Sequence, residues 1–207
     1  MLFYCNPNAL LITGNWWADE RFQKDLYIGD RNRLLPVQKP VCMSELYYTY
    51  YESPVGLLKI GGTDQYIGEL SFVDNPDQLT YGEPGISEIM HQCTEELIEF
   101  FHGSRKKFTI PIHQEGTVFQ KRVWSELLEI PYGKTISYMD MAKRLGDPKI
   151  IRAAASANGK NKIAILVPCH RVIGSDRSLT GYSGGMWRKK WLLQHEFKIT
   201  HGVQTLF

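Results

Sequence analysis

The spacing of apolar positions changes period along the chain, and each change predicts an element. From Leu46, the run Tyr47-Tyr48-Thr49-Tyr50-Tyr51, the turn signal Ser53-Pro54-Val55-Gly56 and the run Leu57-Leu58-Lys59-Ile60 before Gly61-Gly62 predict two strands joined by a turn. Tyr66 to Val73 predicts a third strand. Residues 86–102 place Ile86, Ile89, Met90, Cys93, Leu97, Phe100 and Phe101 at helical intervals, with Gly103 beyond them as a stop. The expectation for this part is a small sheet with one helix packed on it.

After a loop around Thr109 to Thr117, Phe119, Val123, Trp124, Leu127 and Leu128 form one helical face, which Pro131-Tyr132-Gly133 ends. Ser137 caps the next predicted helix, with Asp140 three residues on in a loose capping box and Gly146 closing it. Asp147-Pro148 restarts the chain at once, Asp as N-cap and Pro in the first turn, for a helix running to about Asn158-Gly159. Two helices joined so tightly predict a helix-turn-helix. The second carries Arg152 followed by Ala153-Ala154-Ala155-Ser156-Ala157. Side chains this small let the backbone approach either another helix or a nucleic acid. Ile163-Ala164-Ile165-Leu166-Val167, a short continuous apolar run, is expected as a buried strand ending at Pro168. Residues 1–42, which include Trp16-Trp17, show no sustained period.

Composition narrows the class. At 207 residues and 43% hydrophobic content the chain can bury a core, and no run of about 18 apolar residues could span a membrane. Met1 to Ala18 has no basic stretch ahead of Leu10-Leu11-Ile12, so a cytoplasmic protein is expected. The net charge of +2 conceals an asymmetry: the first 100 residues carry 6 Lys+Arg against 15 Asp+Glu, and residues 101–207 carry 18 against 7. The basic second half suits a phosphate backbone, although charge alone does not separate DNA from RNA or an anionic membrane.

The four cysteines, Cys5, Cys42, Cys93 and Cys169, are widely spaced with no CxxC pair, as expected of reduced thiols. Cys5, Cys42, His91 and His113 lack the spacing of a zinc set, and neither metal nor cofactor is expected. Cys169 differs from the other three. It follows Pro168 and precedes His170-Arg171-Val172, and a useful thiolate needs a base or a positive field nearby, for which His170 and Arg171 are the local candidates.

Pro168-Cys169-His170-Arg171-Val172 is preceded by Asn161 and followed by Gly181-Tyr182-Ser183-Gly184-Gly185 and Trp191-Leu192-Leu193-Gln194-His195-Glu196. This set resembles the O6-alkylguanine-DNA alkyltransferase family, also called methylated-DNA–protein-cysteine methyltransferases, over about residues 46–197. It is similar especially to the bacterial constitutive members, which share a dipeptide like Asn158-Gly159. The resemblance implies an α+β fold: a small RNase H-like α/β domain over residues 43–110, then a helical DNA-binding domain over 111–207 with the helix-turn-helix and the reactive cysteine. Residues 1–42 are left as an extension of unclear role, expected to be dispensable because Met43-Ser44-Glu45 would make a natural beginning.

The resemblance also implies a role for each matching residue. The damaged nucleotide is flipped out of the duplex, Arg152 takes its place in the stack, and Ala153, Ala154 and Ser156 permit close approach to the minor groove. Tyr138 crowds the adjacent phosphate and donates to guanine N3, Ser183 donates to O6, the Cys169 and Val172 carbonyls accept from the exocyclic amine, and Tyr182 and Gly184 help to wall the base. Glu196 orients His170, which through a water takes the proton of Cys169, while Asn161 fixes the turn. His195 is left with a surface role. The partner implied is double-stranded DNA containing O6-alkylguanine, or O4-alkylthymine, repaired by a monomer in one irreversible turnover.

Taken singly, Tyr138, Tyr182 and Asn161 also fit core or turn positions, Arg152 a surface charge and Glu196 a helix-surface acid. Two other classes remain on the residues alone. A Cys-His hydrolase would show turnover on small acyl substrates and has no need of a basic helix-turn-helix. A non-catalytic alkylated-DNA sensor or regulator would use the same helices, but sensor-like relatives replace the cysteine present here.

Overall fold

The tyrosine-rich run pairs with the segment beyond its turn because alternate side chains of the second strand, Leu58 and Ile60, are apolar and face one side. β1 (Tyr47–Ser53), β2 (Gly56–Gly62) and β3 (Ile67–Phe72) form an antiparallel sheet in that order, with Tyr47 opposite Gly62, Ser53 opposite Gly56 and Leu58 opposite Phe72. The computed structural model describes residues 46–75 and 86–202. The expected extension over residues 1–42, with its tryptophan pair and the proposed start at Met43, lies outside the described residues. In the β1–β2 turn Gly56 takes φ 98°, and Ser53 Oγ bonds Gly56 O at 2.6 Å.

α1 (Glu88–His102) lays Met90, Cys93, Leu97, Phe100 and Phe101 on this sheet. Ser87 caps its first turn by accepting from Met90 N, and Gly103, left-handed at φ 82°, ends it where expected. Beyond α1 the chain returns to β3. Ile67 N donates to Pro111 O and His113 N to Ile67 O, while Leu70 N donates to Lys162 O and Ala164 N to Leu70 O, at 2.8–2.9 Å. The free edge of β3 thus receives two short parallel bridges from the helical part, at Ile112 and Ile163.

α2 (Val118–Leu128) begins in a full capping box between Thr117 and Gln120 and buries Val123, Trp124 and Leu127, whereas Leu128 stays half exposed. α3 (Tyr138–Arg144) begins in a second box, Ser137 with Asp140. Gly146, at φ 101°, turns the chain, and Asp147 caps a 3-10 turn (Pro148–Ile150) that leads into α4 (Ile151–Gly159). Trp124 Nε1 donates to Ala157 O at 2.9 Å and fastens α2 to α4. Two short strands not foreseen, β4 (Ile136–Ser137) and β5 (Val172–Ile173), pair in parallel and bring the start of α3 beside the cysteine turn. α5 (Met186–His201) closes this part of the fold.

The expected strand at 163–167 is not one. Only Ile163 bridges β3; then Ile165 takes φ 68° and the chain coils back, with Leu166 N on Ala164 O and Val167 N on Ile163 O. All five residues are buried, so their apolar run signals burial rather than extension. The coil is held by Asn161, whose Nδ2 donates to Val167 O at 2.9 Å and Ile163 O at 3.3 Å while its Oδ1 accepts from Ile163 N at 3.0 Å. Asn161→Ala leaves these buried groups unpaired and should lower stability by about 2 kcal/mol. Equilibrium urea unfolding checks this, and an unchanged midpoint would show that the turn holds without Asn161.

Candidate active site

The coil delivers Pro168 into a second 3-10 turn (Cys169–Arg171), where Cys169 and His170 are both buried. Val172 N closes this turn on Cys169 O. Burial pushes the Cys169 thiol up; the amide of Asn161, donating to Sγ at 3.1 Å, and the charge of Lys189 act in the opposite direction. Adjacent residues point apart here. His170 turns to α5, where its Nε2 lies 2.9 Å from Glu196 Oε1.

Glu196 is completely buried and also receives Arg171, whose Nε and Nη2 reach its two oxygens at 2.9–3.2 Å. Burial alone would raise this carboxyl, but His170 and Arg171 override it and hold it at about 2. Arg171 also donates from Nη1 to Ile130 O, and its charge is matched to Glu196, so of the two local candidates for a positive field it is the one already paired. Burial pushes His170 down, against the pull of Glu196, and keeps the imidazole neutral near pH 7. With Nε2–H donating to the carboxylate, Nδ1 carries the lone pair; it is buried and has no hydrogen-bond partner among the described residues.

Beside the cysteine opens a cavity of about 450 Å³ lined by Tyr138, Arg152, Ala155, Asn158, Thr180 and Tyr182, among others. Asn158 joins its wall to the nucleophile, with Nδ2 3.4 Å from Cys169 O and 3.5 Å from Tyr138 Oη. Its Oδ1 and the Tyr182 hydroxyl are buried without a partner among the described residues. Burial raises the phenols of Tyr138 and Tyr182, so both are protonated donors at neutral pH.

Ser183 and Gly184 are not in this cavity. They line a second depression of about 400 Å³ with Phe72, Asn161 and Lys162. Gly184 is there for lack of space, since a Cβ would meet the Phe72 ring at 2.3 Å. On α4, Arg152, Ala153 and Ser156 are exposed, but Ala154 is at 0% exposure. A helical turn puts Ala154 with Ala157 and Asn158 on the inner face, so Ala154 is a packing residue and close approach falls to its neighbours. His195 is partly buried rather than free on the surface: it stacks on Trp191 at 4.9 Å and its Nε2 meets Phe100 O.

Sequence reasoning missed two buried cations on α5. Arg188 donates to Val55 O, Gly184 O and Asp74, and so ties the pocket loop to the sheet. Lys189 donates to Val172 O and Thr180 O, both at 2.7 Å, and to Gly181 O at 3.4 Å. A signal was present: Lys189, Leu192, Leu193 and Glu196 recur at i, i+3, i+4 and i+7, which places two charges on the apolar stripe. No group of three or more metal-ligating side chains occurs among the described residues. Cys5 and Cys42 lie outside them, His91 pairs with Glu95, and His113 with Glu115.

The sequence matches two family models: the ribonuclease-like domain of 6-O-methylguanine DNA methyltransferase over residues 46–114, and its DNA-binding domain over residues 118–198. The methylated-DNA–protein-cysteine methyltransferase of Methanosarcina acetivorans is 39% identical over 153 residues, which is 73% of this chain and 98% of that protein. The constitutive enzyme of that name from Bacillus subtilis is 39% identical over 160 residues, 75% of this chain and 97% of the relative. A crystal structure of the Mycobacterium tuberculosis O6-methylguanine methyltransferase superposes with a TM-score of 0.67 at 39% identity, covering 74% of this chain and 93% of that one. One of that organism's protein in complex with DNA gives 0.67 at 39% identity over 73% and 93%.

Glu196→Gln leaves the Arg171 guanidinium buried without its counter-charge and should lower stability by about 3–5 kcal/mol at pH 7. The carboxyl is held at about 2, below its ordinary 4.5. Its contribution is therefore complete above pH 4.5 and lost as pH falls toward 2, so the variant and the parent should converge there. Urea unfolding across pH checks the sign, and a constant gap down to pH 2 would contradict it.

Proposed function

The chain belongs to the 6-O-methylguanine DNA methyltransferase family, and from that premise we propose that it repairs DNA by moving an alkyl group from guanine O6 to its own Cys169. One observation carries the reading. Three buried polar atoms have no partner among the described residues in this region: Asn158 Oδ1 and the Tyr182 hydroxyl, on residues that line the cavity, and Nδ1 of His170, the neighbour of the buried Cys169. Buried polar atoms seldom stay unpaired, and a flipped base together with its water would supply their partners.

The partner in this reading is double-stranded DNA carrying O6-alkylguanine, or O4-alkylthymine by the same chemistry, engaged by a monomer. α4 enters the minor groove with Ala153 and Ser156 close to the backbone, and Arg152 fills the stack. The base lies against Tyr182, with its N3 on the Tyr138 hydroxyl, and Ser183, which lines the neighbouring depression, is the proposed donor to O6. The Val172 carbonyl accepts from Lys189 and keeps a second lone pair for the exocyclic amine, whereas the Cys169 carbonyl accepts from both Val172 N and the long 3.4 Å Asn158 bond, which the amine would displace. His170 Nδ1 takes the thiol proton by way of a water, and Glu196 stabilises the imidazolium. The sulfur lone pair then forms the S–C bond while the C–O6 bond breaks with its electron pair on guanine. Guanine regains a proton at N1 through solvent, and the thioether left behind has no bond that water can cleave. Residues 43–110 serve in this account as the supporting RNase H-like part and 111–207 as the part that binds DNA. No described helix is long and apolar enough to cross a membrane, as suits a protein of the cytoplasm.

Peptide mapping after reaction with an O6-methylguanine duplex should place one methyl group on Cys169, with none transferred in Cys169→Ala; methylation at another residue would overturn the assignment. Arg152→Ala should slow repair of duplex by about tenfold or more, the equivalent of about 1.4 kcal/mol, yet leave the reaction with free O6-benzylguanine nearly unchanged. Equal losses on both substrates would remove Arg152 from the flipping step. A Cys-His hydrolase would instead turn over small acyl esters and leave no methyl on the protein.

A further inference from the structure

Lys189 lies at 0% exposure on the inner face of α5, yet its ammonium has no carboxylate partner among the described residues. The acid on the same helical face, Glu196, is taken by His170 and Arg171. The donors of Lys189 go to three neutral carbonyls, those of Val172, Thr180 and Gly181. Burying an ammonium without a counter-ion costs several kcal/mol even with such bonds. A methionine would fill the same volume at lower cost, so the charge calls for an explanation.

We infer that Lys189 is a positioning residue for the transfer, the buried counter-charge of the Cys169 thiolate and the fastener of the two chain segments that flank the base. The inference rests on the alkyl-transfer reading and deepens it. Two lines of geometry lead there. Val172, held by Lys189 at its carbonyl, is the residue whose N–H closes the turn on Cys169 O, so the ammonium is linked through one residue to the nucleophile. Thr180 and Gly181, held at their carbonyls, line the cavity just before Tyr182, and the ammonium sits 5.8 Å from the centre of the Tyr138 ring that forms another wall.

The groups around the sulfur leave few other sources of positive charge. Tyr138 and Tyr182 are neutral phenols, Asn161 offers an amide, His170 is neutral, and Arg171 is matched to Glu196. Burial lowers Lys189 to about 8, and the developing charge on Cys169 is what draws it back up. The ammonium and the thiolate therefore stabilise each other, which favours the reactive form of a thiol that burial alone would silence.

The test separates this field from mere loop support. The rate at which iodoacetamide labels Cys169, read on its own peptide, is followed against pH in the full chain, in Lys189→Met and Lys189→Gln, and in Lys189→Arg, which keeps the charge. Folding of each is checked by circular dichroism. The two uncharged variants should move the labelling profile up by about one pH unit, about tenfold slower at pH 7, and Lys189→Arg should restore most of the rate. Transfer from an O6-methylguanine duplex should fall at least as far. A profile unmoved in either folded, uncharged variant overturns the inference, even if transfer is slowed by a loosened loop. Iodoacetamide needs no guanine pocket, so absence of any methyl transfer in the parent chain would refute the proposed function without touching this result.

Discussion

The carboxylate of Glu196 is buried on α5 and shared between His170 and Arg171, two consecutive residues of the turn that begins at Cys169. That one contact aligns the turn with the helix, neutralises a charge that burial would otherwise expel, and fixes which imidazole nitrogen is free. Much else follows from it. A turn anchored at its second and third residues leaves the sulfur of its first, Cys169, to the Asn161 amide. The supporting bonds come from flanking elements: Asn161 below the coil, Asn158 on α4, Lys189 on α5. A buried thiol is a poor nucleophile by default, and this part of the fold reads as a set of buried polar groups arranged to reverse that default.

The same arrangement gives α4 two different faces. α4 exposes Arg152 and Ser156 on one face and on the other buries Ala154, Ala157 and Asn158. Its inner face touches the nucleophile through the Asn158 amide and α2 through Trp124. One helix thus presents a basic, small-residue surface outward and sets the cysteine's surroundings inward. The β3 edge ties this helical part to the sheet through bridges at Ile112 and Ile163, and Arg188 adds a charged clamp from Asp74 and Val55 to Gly184.

Where local chemistry decides structure, the sequence was readable. Ser137-Asp140, Asp147-Pro148 and Gly103 mark helix ends because their side chains, or the lack of one, satisfy backbone groups at fixed offsets. Where tertiary partners decide, it was not. The 163–167 run reads as a strand because burial on all sides has the same apolar signature in a coil as in a sheet, and only the pairing of Asn161 with three backbone groups tells them apart. β4 and β5 are two residues each, too short to carry a period. Cys169, His170, Asn161 and Glu196 were legible as a motif. Lys189 was not named, because a lysine within Arg188-Lys189-Lys190 looks like a solvated run until its helical phase is compared with Leu192 and Glu196. A block of alanines conceals which face of the helix turns inward, so only the structure separates the buried Ala154 from the exposed Ala153.

The central claim is that alkyl transfer consumes the protein, since the thioether on Cys169 cannot be hydrolysed. The most direct measurement is a titration of a fixed amount of full chain with rising excess of O6-methylguanine duplex, counting repaired guanines at completion. The account predicts a plateau at one guanine per protein molecule, however large the excess and however long the incubation. Continued repair beyond that equivalence would contradict it and return Cys169 to the class of nucleophiles that are regenerated.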